Sequence, residues 1–298
     1  MKDESGASTA PASVDGEADD TRSATLLKKI VEELGLRSEL QTVPIGSGQN
    51  SIAYELDRKI LRLPRHAGAE RDLVREAAAL RALRPRLPVP VPDLALHSID
   101  GQLVSLHPKI IGEPLADLSG LTERAQGALA ADLAAFLGAL HSIPIAHLEV
   151  QPAEALSSEW GRLLSQCEAT AFPLLPPKVA TGLRKSFSDF LTTCDDLPRC
   201  IIHGDFGSGN ILVEHGRLSG VIDFSGCGPG DPAYDFASLA AGFGDRFVDR
   251  VLDPFPLDKA AKDRIPFYRM TFPLLDILYG VENGDPGTLR AGVGALAV

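Results

Sequence analysis

Three side chains near the middle of the chain have the types and spacing to do chemistry together: Asp205, Asn210 and Asp223. Asp205 and Asn210 stand five residues apart in His203-Gly204-Asp205-Phe206-Gly207-Ser208-Gly209-Asn210, and Asp223 follows in Ile222-Asp223-Phe224. A carboxylate in a loop can orient an attacking hydroxyl and accept its proton. An amide oxygen and a second carboxylate can hold Mg²⁺ on nucleotide phosphates, because magnesium takes few protein oxygens and keeps phosphate and water as its other ligands. The pattern therefore implies phosphoryl transfer. Any one of these residues alone would read as a turn or cap residue; their order and spacing favour chemistry.

H-G-D-x-x-x-x-N followed by I-D-F resembles the catalytic half of protein kinases. The loop reads HGD where protein kinases have HRD, and the second motif reads I-D-F-S, without the DFG glycine. With Gly230-Asp231-Pro232-x-x-Asp235 downstream, the chain is similar to the aminoglycoside phosphotransferase family, small-molecule kinases on a protein-kinase-like scaffold. The resemblance implies an α+β, bilobal kinase-like fold, with a small antiparallel-sheet N-lobe carrying one main helix and a larger, mostly helical C-lobe. It further implies Asp205 as the catalytic base, Asn210 and Asp223 as the Mg²⁺ ligands, and His203 and Asp231 as supports holding the loop by hydrogen bonds.

Around these residues the chain must supply a scaffold. An opening helix over about Leu26–Leu36 precedes strands at Leu40–Ile45, Ser51–Leu56 and Lys59–Leu63, with glycine-rich and Asp57-Arg58 turns between them. Leu73, Ala77, Leu80 and Leu83 space a helix over Arg71–Leu83, which the proline-rich step from Leu87 closes. Two more strands are expected at Leu94–Ser98 and Gln102–His107. From Gly112 the pattern turns helical: an apolar stripe from Leu129 to Leu140 has Thr122 as its N-cap, and further helices are expected near Ser157–Ala169 and Val179–Thr193. Cys200–Ile202 leads into the HGD loop, and Ile211–Val213 with Leu218–Ile222 forms a hairpin across His215-Gly216. The remainder reads as helices that Pro266 and Pro273 start or kink. Residues 1–24 are poor in large apolar side chains and are expected to be a disordered tail. The expected division is 25–111 for a nucleotide-binding lobe and 112–298 for a catalytic and substrate lobe.

Nucleotide contacts follow from the resemblance. Gly46, Ser47 and Gly48 look like the loop covering the phosphates, where no G-x-x-x-x-G-K-[ST] pattern occurs. Arg62 fills the third-strand position of the protein-kinase lysine; it keeps the charge and offers a planar fork for phosphate. Glu76, fourteen residues on, is the helix acid expected to pair with it, against a plain reading as part of a solvated helix face. His107–Gly112 corresponds to the hinge, with the Pro108 carbonyl and the Ile110 N–H facing the base. Backbone groups read either purine, so ATP and GTP both remain as co-substrates.

Bulk properties exclude other classes. A chain of 298 residues with 44% hydrophobic content can bury a large core. With 29 basic against 40 acidic residues and no basic run, a nucleic-acid partner is not expected. The four cysteines form no C-x-x-C pair and no zinc spacing. No apolar run reaches membrane-spanning length and no signal-peptide stretch opens the chain, so a cytoplasmic monomer is expected. Aminoglycosides are polycations that need converging carboxylates, but Asp231 to Val298 holds ten acidic and seven basic residues, a slight excess that singles out no acceptor. The expected activity is Mg²⁺-dependent transfer from ATP or GTP to a hydroxyl of a small molecule. An antibiotic (aminoglycoside or macrolide) is preferred over an amino alcohol or sugar, and over a nucleotide-binding pseudokinase.

Overall fold

Alternation of apolar side chains in the first strands builds a sheet with one buried face. The computed structural model describes residues 25–36, 44–47, 50–56, 58–148, 154–254 and 259–297. The expectations for residues 1–24, and for Leu40, Gly48 and Asp57, lie outside these residues. The described chain separates into two compact units, one of residues up to Leu73 together with Leu94–Lys109, the other of Val74–Asp93 and Ile110 onward.

In the first unit, β1 (Pro44–Ser47), β2 (Ser51–Leu56), β3 (Lys59–Pro64), β4 (Ala95–Ile99) and β5 (Gln102–Pro108) form an antiparallel sheet in the order β1-β2-β3-β5-β4. Tyr54 and Leu56 on β2, Leu61 and Leu63 on β3, and Val104 and Leu106 on β5 point to one face. Helix α1 (residues 25–33) lays Leu27, Ile30 and Val31 against them, the i, i+3, i+4 stripe of an amphipathic helix. Each such side chain contributes roughly 1.5–3 kcal/mol on burial. Helix α2 (Ala67–Leu83) begins four residues before the expected Arg71, because the His66 ring Nδ1 accepts from the Ala69 N–H at 3.1 Å and caps the first turn. Histidine is not a usual capping residue, which is why the start was not evident.

In the second unit, Thr122 caps α3 (Glu123–Ser142), its side chain accepting from the Ala125 N–H at 3.2 Å, and the stripe from Leu129 to Leu140 is buried. Helices α4 (Leu156–Gln166) and α5 (Pro177–Leu191) follow, α4 running on into a π-helical turn, Cys167–Ala171. Strand β7 (Cys200–Ile202) pairs with β10 (Gly228–Gly230), and β6 (Glu113–Pro114) pairs with β8 (Ile211–Glu214), which forms a hairpin with β9 (Arg217–Val221). At the hairpin tip His215 (φ 52°) and Gly216 (φ 74°) are both left-handed, as a tight two-residue turn requires. Helices α6 (Ala233–Phe243), α7 (Asp245–Leu252), α8 (Lys259–Glu282) and α9 (Pro286–Leu296) complete the unit.

Of the two roles expected for Pro266 and Pro273, starting or kinking a helix, the first does not occur: both lie inside the 24-residue α8. An interior proline costs about 3 kcal/mol. Buried Ile265, Tyr268, Thr271, Leu274 and Ile277 offset that cost by packing. Among the described residues no helix is long and apolar enough to cross a membrane.

Candidate active site

Strand β7 delivers the chain to His203, which is fully buried. Its Nε2–H donates to the Ile222 carbonyl at 3.1 Å, while Nδ1 accepts from the Asp205 N–H at 3.3 Å. One nitrogen donating and the other accepting defines a neutral ring, and burial pushes its pKa down against the pull of nearby carboxylates. The rings of Phe206 and Phe224 stand 5.5 and 4.6 Å from it, centroid to centroid. His203 is thus a fixed strut of the loop. Gly204 has φ +82°, and a Cβ there would fall 2.1 Å from the Gly226 carbonyl oxygen, so only glycine fits.

The loop is fastened by a residue that sequence reasoning missed. Asp235, 0% exposed in α6, accepts from the N–H groups of His203 and Gly204 and from His141 Nε2, each at 2.9 Å. This corrects the role expected of Asp231. That carboxylate makes its hydrogen bonds elsewhere, accepting from Arg264 Nε (2.5 Å) and Nη2 (3.0 Å), the Tyr268 hydroxyl (2.9 Å) and the Ala233 N–H (3.1 Å). The signal was present in G-D-P-x-x-D, whose second aspartate lies one helical turn past the first. With α6 beginning at Ala233, that second aspartate sits in its first turn.

Asp205 keeps an exposed surface above the buried Phe206 and His203. Partial desolvation raises its carboxyl above its ordinary value; the charges of Asp223 and Asp235 add to the effect, and a hydrogen bond from Asn210 opposes it. Asn210 Nδ2 donates to Asp205 Oδ2 at 2.8 Å and to the Asp205 carbonyl at 2.9 Å, which leaves the amide oxygen facing elsewhere. The Ile222 N–H donates to the Asn210 carbonyl at 2.9 Å. Asp223 itself is left-handed at φ +60°, a conformation aspartate tolerates better than most residues. Its backbone is gripped on both sides, through Ile222 and through Phe224, whose N–H donates to Glu76 Oε1 at 3.0 Å. Glu76 is 2% exposed, so its reading as part of a solvated face is ruled out.

Asn210 and Asp223 offer oxygen donors only, one amide and one carboxylate, which is the chemistry of a hard cation. The remaining candidates are placed as follows. Gly46 and Ser47 end β1, opposite Ala53 and Ile52; Gly48 lies outside the described residues. Arg62 sits mid-strand in β3 with Nε 3.4 Å from Ser51 Oγ; it belongs to the first unit and Glu76 to the second. Pro108 ends β5, and its carbonyl accepts from His107 Nδ1 at 2.9 Å. Ile110 opens the long segment of the second unit, its side chain packed on Gly220.

Residues 41–265 match the phosphotransferase enzyme family. Viomycin phosphotransferase of Streptomyces vinaceus is 31% identical over 242 residues, covering 78% of this chain and 81% of that protein. Among solved structures, the GDP and kanamycin complex of APH(2")-IIia superposes with a TM-score of 0.83 at 21% identity, over 91% of this chain and 96% of that one. Macrolide 2'-phosphotransferase MphH from Brachybacterium faecium gives 0.70 at 21% identity, over 92% and 97%. The structural likeness carries the fold, a kinase-like α+β arrangement.

Proposed function

Because this chain belongs to the phosphotransferase enzyme family, we propose that it moves the γ-phosphate of ATP or GTP, with Mg²⁺, onto a hydroxyl of a small antibiotic molecule. The observation that carries the reading is the Asp205–Asn210 pair, held on a loop whose N–H groups end on the buried carboxylate of Asp235. The antibiotic class is supported by the viomycin phosphotransferase relative, and use of a purine nucleotide by the GDP in a structural neighbour.

In this reading Asp205 accepts a hydrogen bond from the acceptor hydroxyl and aims its oxygen at the γ-phosphorus. A new O–P bond forms as the bond from that phosphorus to the bridging oxygen breaks. The nucleoside diphosphate leaves with the electron pair, and the hydroxyl proton passes to Asp205 and on to water. Positioning supplies most of the rate, since the transition state is loose. Asn210 holds the Asp205 carboxylate in one rotamer and turns its own amide oxygen, together with Asp223, toward a cation. A bound Mg²⁺ would neutralise charge on the phosphates. Glu76 and His203 fix the backbone on either side of Asp223, and Asp231 ties α8 to the same segment. Arg62 provides phosphate charge compensation, Gly46, Ser47 and Gly48 the phosphate cover, and Pro108 and Ile110 the base contacts. Residues 25–111 then serve as the nucleotide lobe and 112–298 as the catalytic lobe, working in the cytoplasm where nucleoside triphosphates are supplied.

The test is incubation with Mg²⁺ and ATP or GTP against viomycin, kanamycin and erythromycin, followed by mass measurement. A product heavier by one phosphoryl group is expected with at least one acceptor, and Asp205→Ala should abolish it while nucleotide still binds. No phosphorylated product from any of the three, or an Asp205→Ala enzyme retaining most of its turnover, would overturn the assignment.

A further inference from the structure

A polar group sealed inside a sheet normally has a hydrogen-bond partner, and β5 carries one that does not. Ser105 is 0% exposed, and among the described residues no group bonds its Oγ. Its neighbours Val104 and Leu106 turn to the face covered by α1, so Ser105 turns to the other. Holding a hydroxyl there without a partner costs stability that an alanine would not.

The strand register fixes what stands beside that hydroxyl. Ser105 lies opposite Arg62 on β3 and opposite Leu96 on β4. Directly opposite residues share a face, with their Cβ atoms about 4.5–5.5 Å apart. Leu96 has no polar side-chain atom, which leaves Arg62 as the polar cross-strand neighbour. On the other flank of Arg62, Ala53 of β2 lies opposite, and Ser51, two residues earlier on the same face, has its Oγ 3.4 Å from Nε. That distance is at the long end of hydrogen bonding, so the tether is weak. The carboxylate two residues beyond Ala53, Glu55, is held by Lys109 Nζ at 2.8 Å. Arg62 therefore stands between two serine hydroxyls, one loosely engaged and one open, all within the first unit.

Resting on the reading of Arg62 as the cation that compensates phosphate charge, we propose that Ser105 is the positioning residue for Arg62. When the phosphates draw the guanidinium, its edge on the β5 side takes Ser105 Oγ as an acceptor. A guanidinium carries five N–H donors in a rigid fork, so some can hold hydroxyls on the flanking strands while others serve the phosphates. A hydrogen bond that is missing in the resting protein and made in the complex adds its value to nucleotide affinity. Lysine at this position could not do the same. Its one terminal nitrogen cannot reach sideways to a hydroxyl beside the stem and forward to a phosphate together.

Titration calorimetry of Mg²⁺-ATP and Mg²⁺-GTP into the full chain, its Ser105→Ala and Arg62→Ala variants and the double variant makes a complete cycle. Ser105→Ala should bind nucleotide about tenfold more weakly. It should nevertheless melt at or above the temperature of the parent, because a hydroxyl with no partner has been removed. In the Arg62→Ala background, removing the hydroxyl should change affinity by less than about twofold. Parental affinity in Ser105→Ala, or the same loss with and without Arg62, would overturn the positioning role while leaving Arg62 as the phosphate cation. A lower melting temperature in Ser105→Ala would show that the hydroxyl is already bonded in the resting protein, and would overturn it too. Parental affinity in Arg62→Ala would overturn the phosphate role of Arg62 itself, and the proposal with it.

Discussion

Replacing Asp235 by asparagine changes one oxygen to an NH₂ group at a site with no solvent. The carboxylate accepts three hydrogen bonds: Gly204 N–H on Oδ1, and His203 N–H with His141 Nε2 on Oδ2, all at 2.9 Å. Asparagine can keep its oxygen at the doubly used position, but its amide nitrogen must then face the Gly204 N–H, donor against donor. A hydrogen bond to a charged group contributes about 1.5–3 kcal/mol, and an unpaired buried N–H costs a similar amount. The net loss should be roughly 2–3 kcal/mol, since the two surviving bonds weaken with the lost charge but persist. For a domain of this size, that lowers Tm by about 4–12 °C. Asp235→Ala, which removes all three acceptors, should cost about 4–5 kcal/mol, the scale of breaking a buried ionic network. Because the freed N–H groups flank Asp205, kcat should fall in both variants while nucleotide affinity changes little. Thermal melts followed by circular dichroism, with steady-state kinetics on the same preparations, read both quantities. An Asp235→Asn protein melting within about 1 °C of the parent with full kcat would refute the anchoring role.

Asp223→Ala should raise the Mg²⁺ concentration needed for nucleotide binding by at least about tenfold, and Asp223→Asn, which tolerates the left-handed backbone better, should show the same metal defect with a smaller loss of Tm; metal titrations that overlay the parent curve would move the metal site elsewhere. Gly204→Ala drives a Cβ to 2.1 Å from the Gly226 carbonyl at a φ of +82°, so roughly 3–5 kcal/mol of stability should be lost and turnover with it; an unchanged melt would mean that the loop yields easily.

Much of the local structure was legible because it was signalled locally. The bounds of β2 and β7 follow from the turns that flank them, and Thr122 marks the start of α3 by a capping bond that spans three residues. What stayed hidden depends on partners remote in sequence. Glu76 sits beside the Leu73, Ala77 and Leu80 stripe of α2, yet nothing in its neighbourhood says that a backbone N–H 148 residues away will reach it. α8 is a similar case: proline chemistry argues locally for a start or a kink, and only the packing of Tyr268 and Leu274 shows why the helix runs on past both prolines. Asp231 and Asp235 were both in view within one motif. Which of them turns toward the loop depends on where α6 begins and on Arg264 and Tyr268, which α8 brings to Asp231.

The fastening of the HGD loop also dictates when that loop can become ordered. Its two N–H groups find their acceptor 31 and 32 residues later in the chain, and that acceptor is itself steadied by His141, 94 residues before it. The two loop bonds need α6 in place and the His141 bond needs α3 beside it, so closure of these chain segments precedes the fully fastened loop. On a ribosome the HGD triplet emerges well before Asp235 does. A nascent chain that has passed Asn210 already carries Asp205 and Asn210, yet Asp235, the acceptor of its loop N–H groups, is still to come. The HGD side chains come early in the chain, and the carboxylate that fastens their backbone comes late.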